Sequence, residues 1–225
     1  MNPIRSIALL SAVGLLLTSI AASAQSTRAD AEKDPVLKAM LEELDRSKSE
    51  LQLKGFEKPF FIQYRIEDVD DFESKAEFGA TEGSSRSHQR VARITVRVGD
   101  YKTDSSGQRG DGALQLTALS DDPIAVRSAL WAATDQAYKS AISSFAQKEA
   151  ELKQVQTPPQ ADDFSREKPV VMLETPQVLK LDEQSWADRV ARDSGLYRTV
   201  NSAQHDVQVS AASFHGRVTT TRLSA

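Results

Sequence analysis

Few side chains in this 225-residue chain are equipped for chemistry: three histidines, His88, His205 and His215, and no cysteine. A catalytic zinc ion takes about three protein ligands, commonly two histidines three or four residues apart on a helix. None of the three has such a neighbour. His205-Asp206 and His215 would meet as a metal pair only across a hairpin, and two ligands without a third read as surface histidines. The lack of cysteine excludes a disulfide scaffold, a thiolate nucleophile, thiolate zinc ligands and cysteine-bound iron–sulfur clusters. No G-x-S-x-G nucleophile turn occurs, and Gly83-Ser84-Ser85 reads as a hairpin loop. Asp68, Asp70, Asp71 and Glu73 have the oxygens for calcium but lack the glycine and terminal glutamate of an EF-hand loop, so they read as a solvated turn. Gly107–Gly112 (GQRGDG) lacks the Lys-Ser/Thr of a phosphate loop. No residue is assigned a catalytic, cofactor-binding or metal-binding role on these patterns.

Charge narrows the partners. The chain carries 28 Lys+Arg against 32 Asp+Glu, a net charge of −4, with a pI near 5.5. Nucleic-acid binding driven by counterion release needs clustered cations, so nucleic acid is not expected as a partner. Residues 1–24 have the form of a secretory signal peptide: Arg5, an apolar stretch from Ile7 to Ile20, then Ala22-Ser23-Ala24 at the cut. The apolar stretch is shorter than the ~20 residues a membrane-spanning helix needs, so no stable anchor is expected. Lipid attachment would need a cysteine. The mature chain loses Arg5, leaving 27 cations against 32 anions, and is expected to be exported, periplasmic or secreted.

The elements that must position any site follow from periodicity. Residues 25–33 form a polar, disordered leader. Asp34-Pro35 is a helix start, and Leu37, Met40, Leu41, Leu44 and Leu51 form one apolar stripe to about Leu53, with Gly55 as the stop. Three period-two segments come next: 60–66, 72–80 and 91–98, with short links at Asp68–Asp71 and Glu82–Ser87. On their wet face Arg93 and Arg97 would pair with Glu73 or Glu77. An irregular stretch runs from Gly99 to about Asp121. Asp122-Pro123 then opens a long helix to about Val155, with Trp131, Tyr138, Phe145 and Leu152 as the row covering the sheet and Leu130, Ala133, Ala137, Ala141 and Ile142 alongside. Thr157-Pro158-Pro159 breaks the chain, Val170–Leu173 reads as an edge strand, and Leu181–Leu196 as a helix. Asp206–Ser213 and Arg217–Arg222 alternate around a turn at Phe214–Gly216.

The fold class expected is α+β: an antiparallel sheet covered on one face by helices, with a long central helix and an incomplete C-terminal hairpin. The expected division is 34–156 as an N-terminal domain, 157–180 as a Pro-rich connection and 181–225 as a helix plus the start of a second β unit. If the strands after Asp206 lack their partner, an open edge would invite aggregation.

Several segments resemble the N-terminal region of exported TldD/PmbA-type metallopeptidases. They are Lys58-Pro59-Phe60-Phe61-Ile62-Gln63-Tyr64, Phe78-Gly79-Ala80, Ser85-Arg86-Ser87 and Val96-Arg97-Val98-Gly99-Asp100-Tyr101. Ala129–Asp135, Ala137-Tyr138-Lys139 and Phe164-Ser165-Arg166-Glu167-Lys168-Pro169 complete the set, in order across most of 34–215. The resemblance implies zinc-dependent hydrolysis of peptides or unfolded proteins by a two-domain protein, often a dimer. In that family the metal sits in the C-terminal domain on H-E-x-x-x-H and a later cysteine, both absent here. No catalytic residue carries over, and zinc is implied only for the full-length family. The expectation is a fragment with the non-catalytic N-terminal domain, contributing substrate enclosure or subunit pairing. The alternatives are a stand-alone exported peptide- or protein-binding module and, third, a metal enzyme using His205 and His215.

Overall fold

Two helices begin at the two Asp-Pro pairs. The structure, a computed structural model, describes residues 28–107, 112–154, 161–199 and 209–225. Helix α1 spans Pro35–Glu50 and α2 spans Pro123–Leu152. Asp34 accepts the Leu37 N–H at 2.7 Å and Asp122 the Ile124 N–H at 3.0 Å, each satisfying an orphan donor of the first turn. α1 ends before the expected Leu53, because Leu51 already has extended backbone. Gly55 lies in the following turn at φ +88°.

The strands are β1 (Phe61–Glu77), β2 (Ala80–Arg97), β3 (Ala113–Thr117), β4 (Val171–Leu173) and β5 (Ala211–Ser224), with α3 (Glu183–Ser194) between the last two. They form one sheet in the order β3-β2-β1-β5-β4, every neighbouring pair antiparallel. The class is the α+β one expected, and Val171–Leu173 is the edge strand.

Three expectations are corrected. The three period-two segments are two long strands, since Asp68–Asp71 lies inside β1 and Glu82–Ser87 inside β2. Cross-strand partners keep these polar stretches extended, and the chain reverses only at Phe78-Gly79. There φ is +48° and +82°, the two positive values a two-residue type I′ turn requires. The incomplete C-terminal hairpin does not form: β5 runs straight through Phe214–Gly216, pairing with β1 from Glu77↔Ala211 to Tyr64↔Ser224. Gly216 serves close packing, not a turn, because a Cβ there would lie 3.2 Å from the Phe214 ring and 3.3 Å from Leu181. Residues 206–208 of the expected hairpin lie outside the described residues. Finally, the stretch from Gly99 to Asp121 contains β3, which pairs with Arg90–Ile94 of β2. β4 pairs only with Arg222–Ser224 of β5, so among the described residues Ala211–Thr220 have no strand on the side away from β1, and that part of the anticipated open edge remains.

Alternation sends Ile62, Tyr64 and Ile66 of β1 and Ala92, Ile94 and Val96 of β2 to the face under α1 and α2. The Tyr64 hydroxyl lies 3.0 Å from Ser47 of α1 and 2.9 Å from Thr134 of α2, tying both helices to the sheet. The row Trp131, Tyr138, Phe145, Leu152 is not the buried stripe. Tyr138 is buried and Phe145 packs against the core, but Trp131 is 53% exposed; the core stripe is made by the expected flanking residues Leu130, Ala133, Ala137 and Ala141, with Val126. At the other end of the same sheet face α3 contributes Ala187 and Val190, and Trp186 stacks on Phe214 of β5 at 3.7 Å.

Candidate functional site

Three segments far apart in sequence meet at the Phe61 end of the sheet, mainly on the face turned away from the helices but reaching Ile62 and Lys48 of α1. Alternation puts Phe61 and Gln63 of β1 and Thr95 and Arg97 of β2 on that face. The loop after β2 is shaped by Gly99, at φ +92°, where a Cβ would sit 2.4 Å from the Thr103 carbonyl and 2.6 Å from the Phe145 ring; only glycine fits. The Asp100 carboxylate accepts the Lys102 and Thr103 N–H groups, both at 2.8 Å, and this tight turn presents Tyr101. Segment 161–170 is then pinned alongside. Phe164 N–H donates to the Tyr101 carbonyl at 3.1 Å, and the Asp163 carboxylate accepts from the Asp104 N–H at 3.0 Å and the Lys148 ammonium at 2.7 Å.

The result is a cluster of four rings. Phe60 lies 5.0 Å from Tyr101, Phe61 4.7 Å from Phe164, and Tyr101 and Phe164 stack at 6.0 Å and 19°. The Arg97 guanidinium lies 4.4 Å from the centre of Phe164, and Arg166 4.5 Å from that of Tyr101, both cation–π distances. The rings border a cavity of ≈430 Å³, which Leu223 and Ala225 also line. That volume falls within the roughly 300–1,000 Å³ of ligand pockets. Three cationic side chains line it, Lys48, Arg97 and Lys168, against one side-chain carboxylate, Glu167. Arg97 is held in place by the fully buried Asp104 at 2.5 Å. Burial alone would raise the Asp104 carboxyl, but hydrogen bonds from Ser106 and Arg97 outweigh it and hold it below the ordinary carboxylate range.

The residues singled out in the sequence for chemistry are elsewhere. His215 contacts Asp71, which also binds Arg217 at 2.9 Å; His88 lies on the exposed part of β2; His205 is outside the described residues. The acidic cluster is not a solvated turn, because alternation within β1 splits it between two faces. Asp68 pairs with Arg90 (2.5 Å) and Arg222 (2.8 Å), and Asp70 with Arg86 (2.8 Å), under the helices. Asp71 and Glu73 face the other way. Gly83-Ser84-Ser85 belongs to β2, not to a hairpin loop, and Gln108–Asp111 of the glycine-rich stretch lie outside the described residues. Arg93 and Arg97 reach Glu67 and Asp104 instead of Glu73 and Glu77, since the register sets Arg93 opposite Arg65.

Among the described residues no three His, Asp or Glu side chains gather into a metal site. The zinc implied by the sequence resemblance therefore finds no donor set there, and no chemical step is assigned to it. No helix among the described residues is long and apolar enough to cross a membrane.

The groove was not anticipated, although Phe60-Phe61, Arg97–Tyr101 and Phe164–Pro169 all lie in segments that carry the resemblance. In sequence Phe60 stands beside Pro59 and Tyr101 beside Lys102, but Phe164, between Asp163 and Ser165, carries no comparable signal.

No family model matches the chain, and no curated protein matches it. Among solved structures it is similar to TldE from Thermococcus kodakarensis, at 13% identity and a TM-score of 0.43. The match covers 82% of this chain and 34% of that one, so the chain spans about a third of that protein's length. The similarity is distant and concerns the arrangement of the chain alone.

Proposed function

We propose that this chain is a non-catalytic binding domain of the TldD/PmbA type, exported under its N-terminal segment, which holds a peptide or unfolded-protein segment in the aromatic groove. Enclosing a substrate, not cutting it, is its part in hydrolysis, with subunit pairing as the alternative contribution. One observation carries the reading: three separated segments that bear the sequence resemblance converge on a single cavity lined by rings and cations. A stand-alone binding module is the second reading. It is favoured by β5, which supplies β1 from Tyr64 to Glu77 with a strand partner from the chain's own residues.

The test is to titrate labelled peptides into the purified chain and to assay hydrolysis with added zinc. Saturable binding that Phe164→Ala weakens at least tenfold, with no turnover, is expected. Zinc-dependent turnover would overturn the non-catalytic assignment. Absence of peptide binding would remove the groove as the site. Equal binding with and without a separately supplied peptidase subunit would favour the stand-alone module.

A further inference from the structure

We propose that the edge strand β3 is a homodimer interface, pairing antiparallel with β3 of a second copy about a two-fold axis through Gln115. The inference stands apart from the groove and needs no ligand there. β3 ends the sheet, so among the described residues its outer side meets no strand. Alternate residues of an edge strand aim their backbone N–H and C=O groups outward, where another chain can pair with them.

Soluble proteins usually blunt such edges with charge, proline or shortness. Among the described residues the other open edges follow that rule. The outer side of β2 from Ala80 to Gln89 carries Glu82, Arg86 and His88, and Ala211–Thr220 of β5 carries His215 and Arg217. β4 is only three residues long. β3 has none of this protection. From Gly112 to Ser120 no residue is charged, in a chain where 27% are. Leu114 and Leu116 are 56% and 59% exposed, and Leu119 just beyond them is exposed too. The register sets Leu114 opposite Arg93 and Leu116 opposite Val91, so both leucines stand on the face turned away from the helices.

A second copy is the occupant this strand suits. A two-fold contact must be self-complementary, because the same residues meet from both sides. With Gln115 on the axis, Leu114 lies opposite Leu116 of the second copy, and Ala113 opposite Thr117 of the second copy. Opposed side chains of an antiparallel pair share a face, so the four leucines gather in one apolar row. No charge meets its own kind within this strand, although each chain carries a net charge of −4. The axis is normal to the sheet, so the uncovered faces of both copies lie on the same side. A five-residue contact is small against the roughly 1,200–2,000 Å² of stable interfaces, and the dimer is accordingly weak.

The test is sedimentation equilibrium of the purified chain from about 1 to 1,000 µM, a range that brackets a weak contact. The mean mass should rise from that of one chain toward that of two. Leu114→Lys with Leu116→Lys, which sets lysines opposite each other, should weaken association at least tenfold, and so should Leu114→Glu with Leu116→Glu. Mixing the two variants should restore it, since lysine then faces glutamate. Unchanged thermal melting of each variant is the folding control. Gln115→Cys gives a thiol to a chain that has none, and mild oxidation should link it into dimers, because residues opposed on the axis sit within disulfide reach. Ser213→Cys on the β5 edge should stay unlinked. A single-chain mass at every concentration would overturn the inference. If such a chain captures the blocked peptide Ala-Leu-Gln-Leu-Thr, β3 is instead a site for a foreign strand. Association that neither charged pair weakens would also overturn the inference, placing the contact elsewhere. Loss without recovery on mixing, or equal linking of the two cysteine variants, would overturn the two-fold register.

Discussion

The two ends of the β1–β2 ribbon are covered in different ways. At the Phe61–Ile66 end, α1 and α2 bury a continuous aliphatic layer with Tyr64 and Tyr138 inside it. At the Phe72–Glu77 end the covering helix among the described residues is α3, with Ala187 and Val190 and one stacked aromatic pair, Trp186 on Phe214. Length explains why. A 17-residue strand spans about 55 Å, whereas the 16-residue α1 spans about 24 Å, so one helical layer cannot cover the ribbon. The gap between the two layers is bridged by charge: Arg222 binds Asp34 at 2.9 Å and Asp68 at 2.8 Å, and Asp68 also binds Arg90. A large core, a small one and an ionic bridge share a single sheet face.

The comparison breaks most visibly at the bridge. Arg222→Ala leaves the Asp34 and Asp68 carboxylates without their shared partner and should cost about 3–5 kcal/mol in urea unfolding. Arg217→Ala, at a side chain 55% exposed, should cost less than ~1 kcal/mol. Next come the two cores. Leu130→Ala under α2 should cost about 2–5 kcal/mol, and Val190→Ala on α3 about 1–2 kcal/mol. Hydrogen exchange should show the α3 end opening at lower free energy than the α1/α2 end; equal protection would remove the distinction.

Acid should weaken the bridge. Burial would raise the Asp68 carboxyl, but hydrogen bonds from Arg90 and Arg222 outweigh it and hold it below the ordinary carboxylate range. Hydrogen bonds from Arg86 lower Asp70 in the same way. A carboxyl lowered in the folded state contributes stability above its unfolded value and loses it as pH falls through the folded one. The melting temperature should therefore drop below about pH 4, and the acid limb should be shallower in Arg222→Met. The smallest effect is expected at Trp131→Ala, within about ±0.5 kcal/mol by calorimetry, because that ring lies outside the core stripe.

Local signals were legible in the sequence. The caps at Asp34 and Asp122, the edge strand at Val171–Leu173 and the alternation of β1 and β2 are properties of a few neighbouring residues, and each appears where the residues predict it. What was illegible depends on partners. Asp68–Asp71 and Gly83–Ser85 have the composition of turns, and only pairing with Arg90, Arg86 and the facing strands keeps them extended. Gly216 resembles a turn residue until the Phe214 ring is packed beside it. The groove was hidden for the same reason, since nothing in the order of the residues says that Phe164 docks on Tyr101.

The placement of β5 sets a schedule for the nascent chain. β1 and β2 emerge from the ribosome in succession and can zip together from the Phe78-Gly79 turn, a local event with little loop to close. The other side of β1 waits for residues 211–224, the last of those described to be translated. Throughout elongation β1 therefore presents an unzipped flank, a dwell time during which chaperone capture competes with misassembly.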